Sequence, residues 1–183
     1  MKSGRRLPLR TGRRDWLWGV ALATVVLCVL FVVFFVALKG SNSSKAIDTV
    51  DGVECQAGEQ LQYHVHAALE ILIDGQPVTV PKNTGIRSNC IFWLHTHDDT
   101  GTLHIEAPET RDFTLGQFFA VWGQPLSATQ LLSSTVDATH QITATLNGTP
   151  FMGDPASIPL ADQETIVLQY GPPFGTPPKS IFQ

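Results

Sequence analysis

The chain has 183 residues, 43% of them hydrophobic, and a formal charge of −4. The charge is unevenly placed: residues 1–39 hold seven of the twelve Lys and Arg, and the remainder carries five basic against fifteen acidic residues, a formal −10. A domain of that sign repels phosphate backbones, which excludes nucleic acid as a partner, and it gathers cations.

Residues 1–15 form a basic tail with Lys2, Arg5, Arg6, Arg10, Arg13 and Arg14. Residues 16–38 follow without a single charge, rich in Val, Leu, Phe and Ala. At about 1.5 Å per residue this run covers the roughly 30 Å hydrocarbon core of a bilayer as one transmembrane helix. Trp16 and Trp18 stand at the interfacial position, and only Lys39 and Lys45 follow closely on the far side. That asymmetry places the N-terminus in the cytoplasm and the rest of the chain outside it. The alternative is a cleaved signal peptide. However, the run exceeds the usual apolar region of about 7–15 residues, and no A-x-A-like site follows it closely.

Residues 39–50 read as a polar linker, 51–171 as one extracytoplasmic domain, and 172–183, with four prolines, as an extended tail. Cys28 lies in the apolar run. Cys55 and Cys90 are the only two cysteines beyond it, and an even pair in an oxidising compartment points to a disulfide, with two free thiols as the alternative.

Period-two patterning dominates the domain. Residues 61–73 set Tyr63, Val65, Ala67, Leu69, Ile71 and Ile73 on one strand face and His64, His66, Ala68, Glu70 and Leu72 on the other. Asp74-Gly75 predicts a tight turn into a short return strand near 78–80, kept to an edge by Pro77 and Pro81. A second hairpin runs over 91–97, turns at 98–101 and returns over 102–106. With that loop, Leu94 faces Ile105 and His95 faces His104, which separates apolar residues from histidines; a slip of one residue would mix them. Thr114 and Gly123 predict the caps of a helix over 115–122, and Ser127 the cap of a second short helix through 132. Strands over 141–146 and 165–170, with an Asn147-Gly148 turn after the first, complete an α+β domain with a short helix packed on the sheet. From Phe92 to Gly171 the element order resembles the ubiquitin-type β-grasp.

Five of the six histidines lie in these hairpins: His64, His66, His95, His97 and His104. Each H-x-H pair projects both rings to one side of a strand, and strands about 4.8 Å apart let such rings converge on one ion. Glu106, Asp98 and Asp99 are near enough in sequence to add oxygen ligands or to orient imidazoles. Imidazole ligands with little sulfur suit a transition metal, zinc or copper foremost, and argue against calcium and magnesium. Without a metal, the same rings would form a polar, pH-sensitive face. His140 stands apart. No G-x-S-x-G elbow, phosphate-binding glycine loop or C-x-x-C motif is present.

Two resemblances follow from these strings. Gly58, His64-Val65-His66 and Glu70 resemble the opening of the first cupin motif, which implies a metal-dependent enzyme; a second cupin motif is absent. Tyr63-His64-Val65-His66-Ala67, Leu94-His95-Thr96-His97-Asp98 and Thr114-Leu115-Gly116-Gln117-Phe118-Phe119 resemble a group of bacterial single-pass membrane-anchored proteins, a likeness that implies no reaction or ligand. Together the readings give a membrane-tethered domain for capture, carriage or sensing of a transition metal. An open histidine-ligated enzyme and a metal-free interaction module are the alternatives.

Overall fold

The computed structural model describes residues 26–31 and 48–177. The chain divides into two compact units, 1–45 and 46–183. In the first, residues 26–31 are helical; the rest of the expected 16–38 span lies outside the described residues. No helix among the described residues is long and apolar enough to cross a membrane.

The second unit is α+β and mostly sheet. Strand β1 (Asp48–Val50), in the segment expected to be linker, pairs with β2 (Val53–Gln56), which also pairs with β5 (Ile91–Phe92). The main sheet contains β3 (Tyr63–Ile73), β4 (Gln76–Val78), β6 (Leu94–His95), β7 (Thr102–Ala107), β10 (Gln141–Leu146), β11 (Thr149–Phe151) and β12 (Glu164–Gly171). Its order is β11-β10-β12-β3-β7-β6, with β4 paired to β3 as well.

The turn chemistry operates as the sequence implies. Asp74 and Gly75 take φ of 52° and 74°, and Asn147 and Gly148 take 51° and 77°, the left-handed pairs that a two-residue hairpin turn needs. The β6–β7 register sets Leu94 against Ile105 and His95 against His104. In β3, Ala67, Leu69 and Ile71 are buried on the apolar side, as the alternation requires.

At the centre, however, the sheet is not built from antiparallel hairpins. Strand β12 lies parallel to β3, from Glu164 beside Ala67 to Tyr170 beside Ile73. Strand β12 is buried along seven of its eight residues, which suits a strand covered on both faces. Within 92–171, β12 pairs with β10; its other, parallel neighbour is β3, which lies before that stretch.

Helix α1 (Leu115–Trp122) buries Leu115, Phe118 and Phe119 and packs against β6 and the short 3-10 turn Pro155–Ser157. Its start is a capping box: Gln117 N donates to Thr114 Oγ1 at 3.4 Å, and Thr114 N donates to Gln117 Oε1 at 3.0 Å. Gly123 closes it at φ 75°. Thr114→Ala is expected to cost about 1 kcal/mol and to leave metal content unchanged, which thermal unfolding and elemental analysis of one preparation will check.

The expected helix through 127–132 does not form. Ser127 Oγ does accept from the amides of Thr129 and Gln130, as a cap would. The chain then folds into a small hairpin of β8 (Gln130–Leu131) and β9 (Ser134–Thr135), with Leu132 at φ 54°. The following Ser133-Ser134-Thr135-Val136 contains no strong helix former to extend one capped turn.

Cys55 and Cys90 are joined by a disulfide that ties β2 to the segment before β5. Of the proline-rich tail, residues 172–177 are described. Gly175 exchanges hydrogen bonds with the side chain of buried Gln169, so this part of the tail folds back onto the sheet.

Candidate metal centre

Register and alternation build the site. Strand β3 runs antiparallel to β7 with His66 opposite His104 and His64 opposite Glu106. On the other edge of β7, His95 is opposite His104. A row of three imidazoles thus crosses three strands, and Glu106 lies one step along on the same face. His97 follows just beyond β6 and brings its ring to 4.5 Å from that of His104, edge-on.

The ring nitrogens converge. His64 Nε2 lies 3.1 Å from His66 Nε2, His66 Nε2 lies 3.2 Å from His104 Nδ1, and His95 Nε2 lies 3.2 Å from His97 Nε2. Glu106 Oε1 is 3.2 Å from His64 Nε2 and 3.3 Å from His104 Nδ1, while its Oε2 is 3.9 Å from His95 Nε2. Atoms bound tetrahedrally at about 2.0–2.1 Å stand about 3.3–3.4 Å apart, and cis octahedral ligands about 2.9 Å apart. The five spacings of 3.1–3.3 Å fall in this range, and the sixth, Glu106 Oε2 to His95 Nε2 at 3.9 Å, lies beyond it.

Protonation favours the same chemistry. His95 is fully buried, and its Nδ1 donates to the Phe92 carbonyl at 2.9 Å. A neutral ring so fixed offers its Nε2 lone pair toward His97, the orientation a second-shell carbonyl imposes on a metal ligand. Burial holds His95 down to about 4, and burial with the neighbouring rings does the same to His104. Burial and the His64 ring also lower His66. These rings are therefore neutral, with lone pairs available, at neutral pH. Glu106 is shifted the other way, upward, chiefly by burial and also by Glu59. Its side chain is 2% exposed, and Oε2 has no hydrogen-bond partner. A buried carboxylate oxygen without a donor is costly, and a cation beside it removes that cost.

Two groups among the described residues could hold a metal ion: His95, His97, His104 and Glu106, and His64, His66 and His104. All five expected histidines are included. Glu106, considered from the sequence only as a possible oxygen ligand, belongs to the first group. Asp98 instead accepts from Thr100 within the turn, and neither it nor Asp99 enters a group. Glu70, the acid of the cupin-like string, is in neither. Glu59, whose Oε1 is 3.3 Å from His97 Nε2, was not foreseen; it lies in a loop with no periodicity to place it. His140 pairs with Asp137 and stacks on Tyr170.

Comparison with protein-family models, with curated proteins and with solved structures gives no match to this chain.

Proposed function

We propose that this protein is a membrane-tethered, extracytoplasmic transition-metal binder that captures, carries or senses zinc or copper through His64, His66, His95, His97 and His104. The observation that carries the reading is the gathering of five imidazoles into two metal-capable groups beside buried Glu106, whose Oε2 has no hydrogen-bond partner. Nitrogen donors with one carboxylate and no thiolate match zinc and copper(II) better than hard divalent ions. Support for the location comes from the uncharged run 16–38 behind a basic tail and from the Cys55–Cys90 disulfide, a bond that persists in oxidising compartments.

A second reading, a metal-dependent enzyme, is favoured by one feature. His64 and His97 are 37% and 40% exposed, so the cluster has a solvent-facing side at which water or a small ligand could reach a bound ion.

The test is elemental mass spectrometry of the untagged full-length chain, purified in detergent without nickel resin. Zinc or copper retained through dialysis at one equivalent or more is the expected result. A clean negative after incubation with each metal would overturn the proposal and leave a metal-free polar face.

A further inference from the structure

The five imidazoles and Glu106 offer six donors, more than one tetrahedral ion needs, and they do not form a single group. Ligand atoms on a single ion at about 2.1 Å can lie no more than about 4.2 Å apart. The donors instead fall into two groups, His95, His97, His104 and Glu106 in one and His64, His66 and His104 in the other, and only His104 belongs to both. We infer that the centre is dinuclear, with two transition-metal ions side by side and Glu106 as the bridging carboxylate. This rests on the metal-binding reading above and gives that site its stoichiometry.

The geometry assigns the ligands. The first ion takes His64 Nε2, His66 Nε2 and His104 Nδ1, successive neighbours at 3.1 and 3.2 Å. Glu106 Oε1, at 3.2 and 3.3 Å from the outer two, lies beside this set. The second ion takes His95 Nε2 and His97 Nε2, at 3.2 Å, with Glu106 Oε2 on the side of His95 and His104 shared with the first set. Glu59 Oε1, 3.3 Å from His97 Nε2, is placed to supply a further oxygen.

Glu106 approaches both sets, one oxygen to each, while His104 belongs to both. The Glu106 contacts explain why a carboxylate is buried on this face with one oxygen satisfied and the other not. A carboxylate that bridges in this way suits ions about 3.5–4 Å apart, the usual separation in two-metal centres. His104 stands between the two H-x-H pairs: its ring is edge-on to His66 at 4.5 Å and to His97 at 4.5 Å. The cross-strand row therefore sets the spacing of the pairs, and the sheet holds it rigidly.

Native mass spectrometry of the untagged full-length chain, loaded with zinc in detergent and exchanged into metal-free buffer, decides the matter. Two zinc ions per chain are expected. His64→Ala/His66→Ala should retain one, and Glu59→Ala/His97→Ala, which leaves buried His95 in place, should also retain one. The copper(II)-loaded wild type should show a half-field electron paramagnetic resonance line from coupled ions, absent in either variant. A single zinc in the wild type would overturn the dinuclear assignment while leaving metal binding intact. No zinc or copper at all would overturn both. Because the wild-type count decides first, misfolding of a variant does not protect the inference.

Discussion

His95→Ala is expected to weaken zinc or copper(II) affinity by at least about 100-fold. Changes one shell out from a metal typically cost about 10–100-fold, and His95 is a proposed direct ligand. It is also the best preorganised of the five, being fully buried with Nδ1 held by the Phe92 carbonyl. Losing the ring leaves that carbonyl without its donor, a penalty of about 1–3 kcal/mol in the folded state. Two effects thus coincide, and His64→Ala separates them. His64 is 37% exposed, so its truncation should reduce affinity with little change in thermal stability. Chelator competition for affinity and thermal unfolding for stability, measured on both variants, check the pair. Unchanged affinity in His95→Ala would remove it from the site.

The second large effect concerns the disulfide. Cys55 and Cys90 are 35 residues apart, and closing a loop of that size stabilises the fold by about 4 kcal/mol in the chain-entropy account. Cys55→Ser/Cys90→Ser should therefore lower the unfolding temperature by roughly 10–20 °C for a domain of this size. The consequence reaches the site through β5. Phe92 pairs with Cys55, and its carbonyl is the group that orients His95. The doubly substituted protein should accordingly lose metal at a lower temperature than the oxidised one. Calorimetry of both forms, with and without zinc, measures this; identical transitions would show that the bond contributes nothing.

Local patterns carried much of the structure. Asp74-Gly75 and Asn147-Gly148 specify hairpin turns by themselves, and Thr114 with Gly123 bounds the helix, because each signal is read within a few residues. The His95–His104 pairing was legible for the same reason: one short loop fixes the register, and only that register separates polar from apolar faces. The parallel β3–β12 pair was not legible. Its partners are far apart in sequence, and nothing local to residues 164–171 distinguishes a parallel neighbour from an antiparallel one. Ser127 shows the converse, a true cap whose following residues favour a hairpin over a helix. At the site, Glu106 was visible as a cross-strand residue, but its burial and its two-sided contacts arise only when β3 and β6 flank β7. Glu59 required the tertiary fold altogether.

The central claim is that imidazoles from β3, the β6 segment and β7 bind a transition metal. X-ray absorption fine structure of the zinc-loaded, untagged chain tests it most directly. The account predicts a first shell of nitrogen and oxygen at about 2.0–2.1 Å with the outer-shell scattering of several imidazole rings, lost in His64→Ala/His66→Ala combined with His97→Ala. A sulfur shell near 2.3 Å, or oxygen ligands without imidazole scattering, would contradict it.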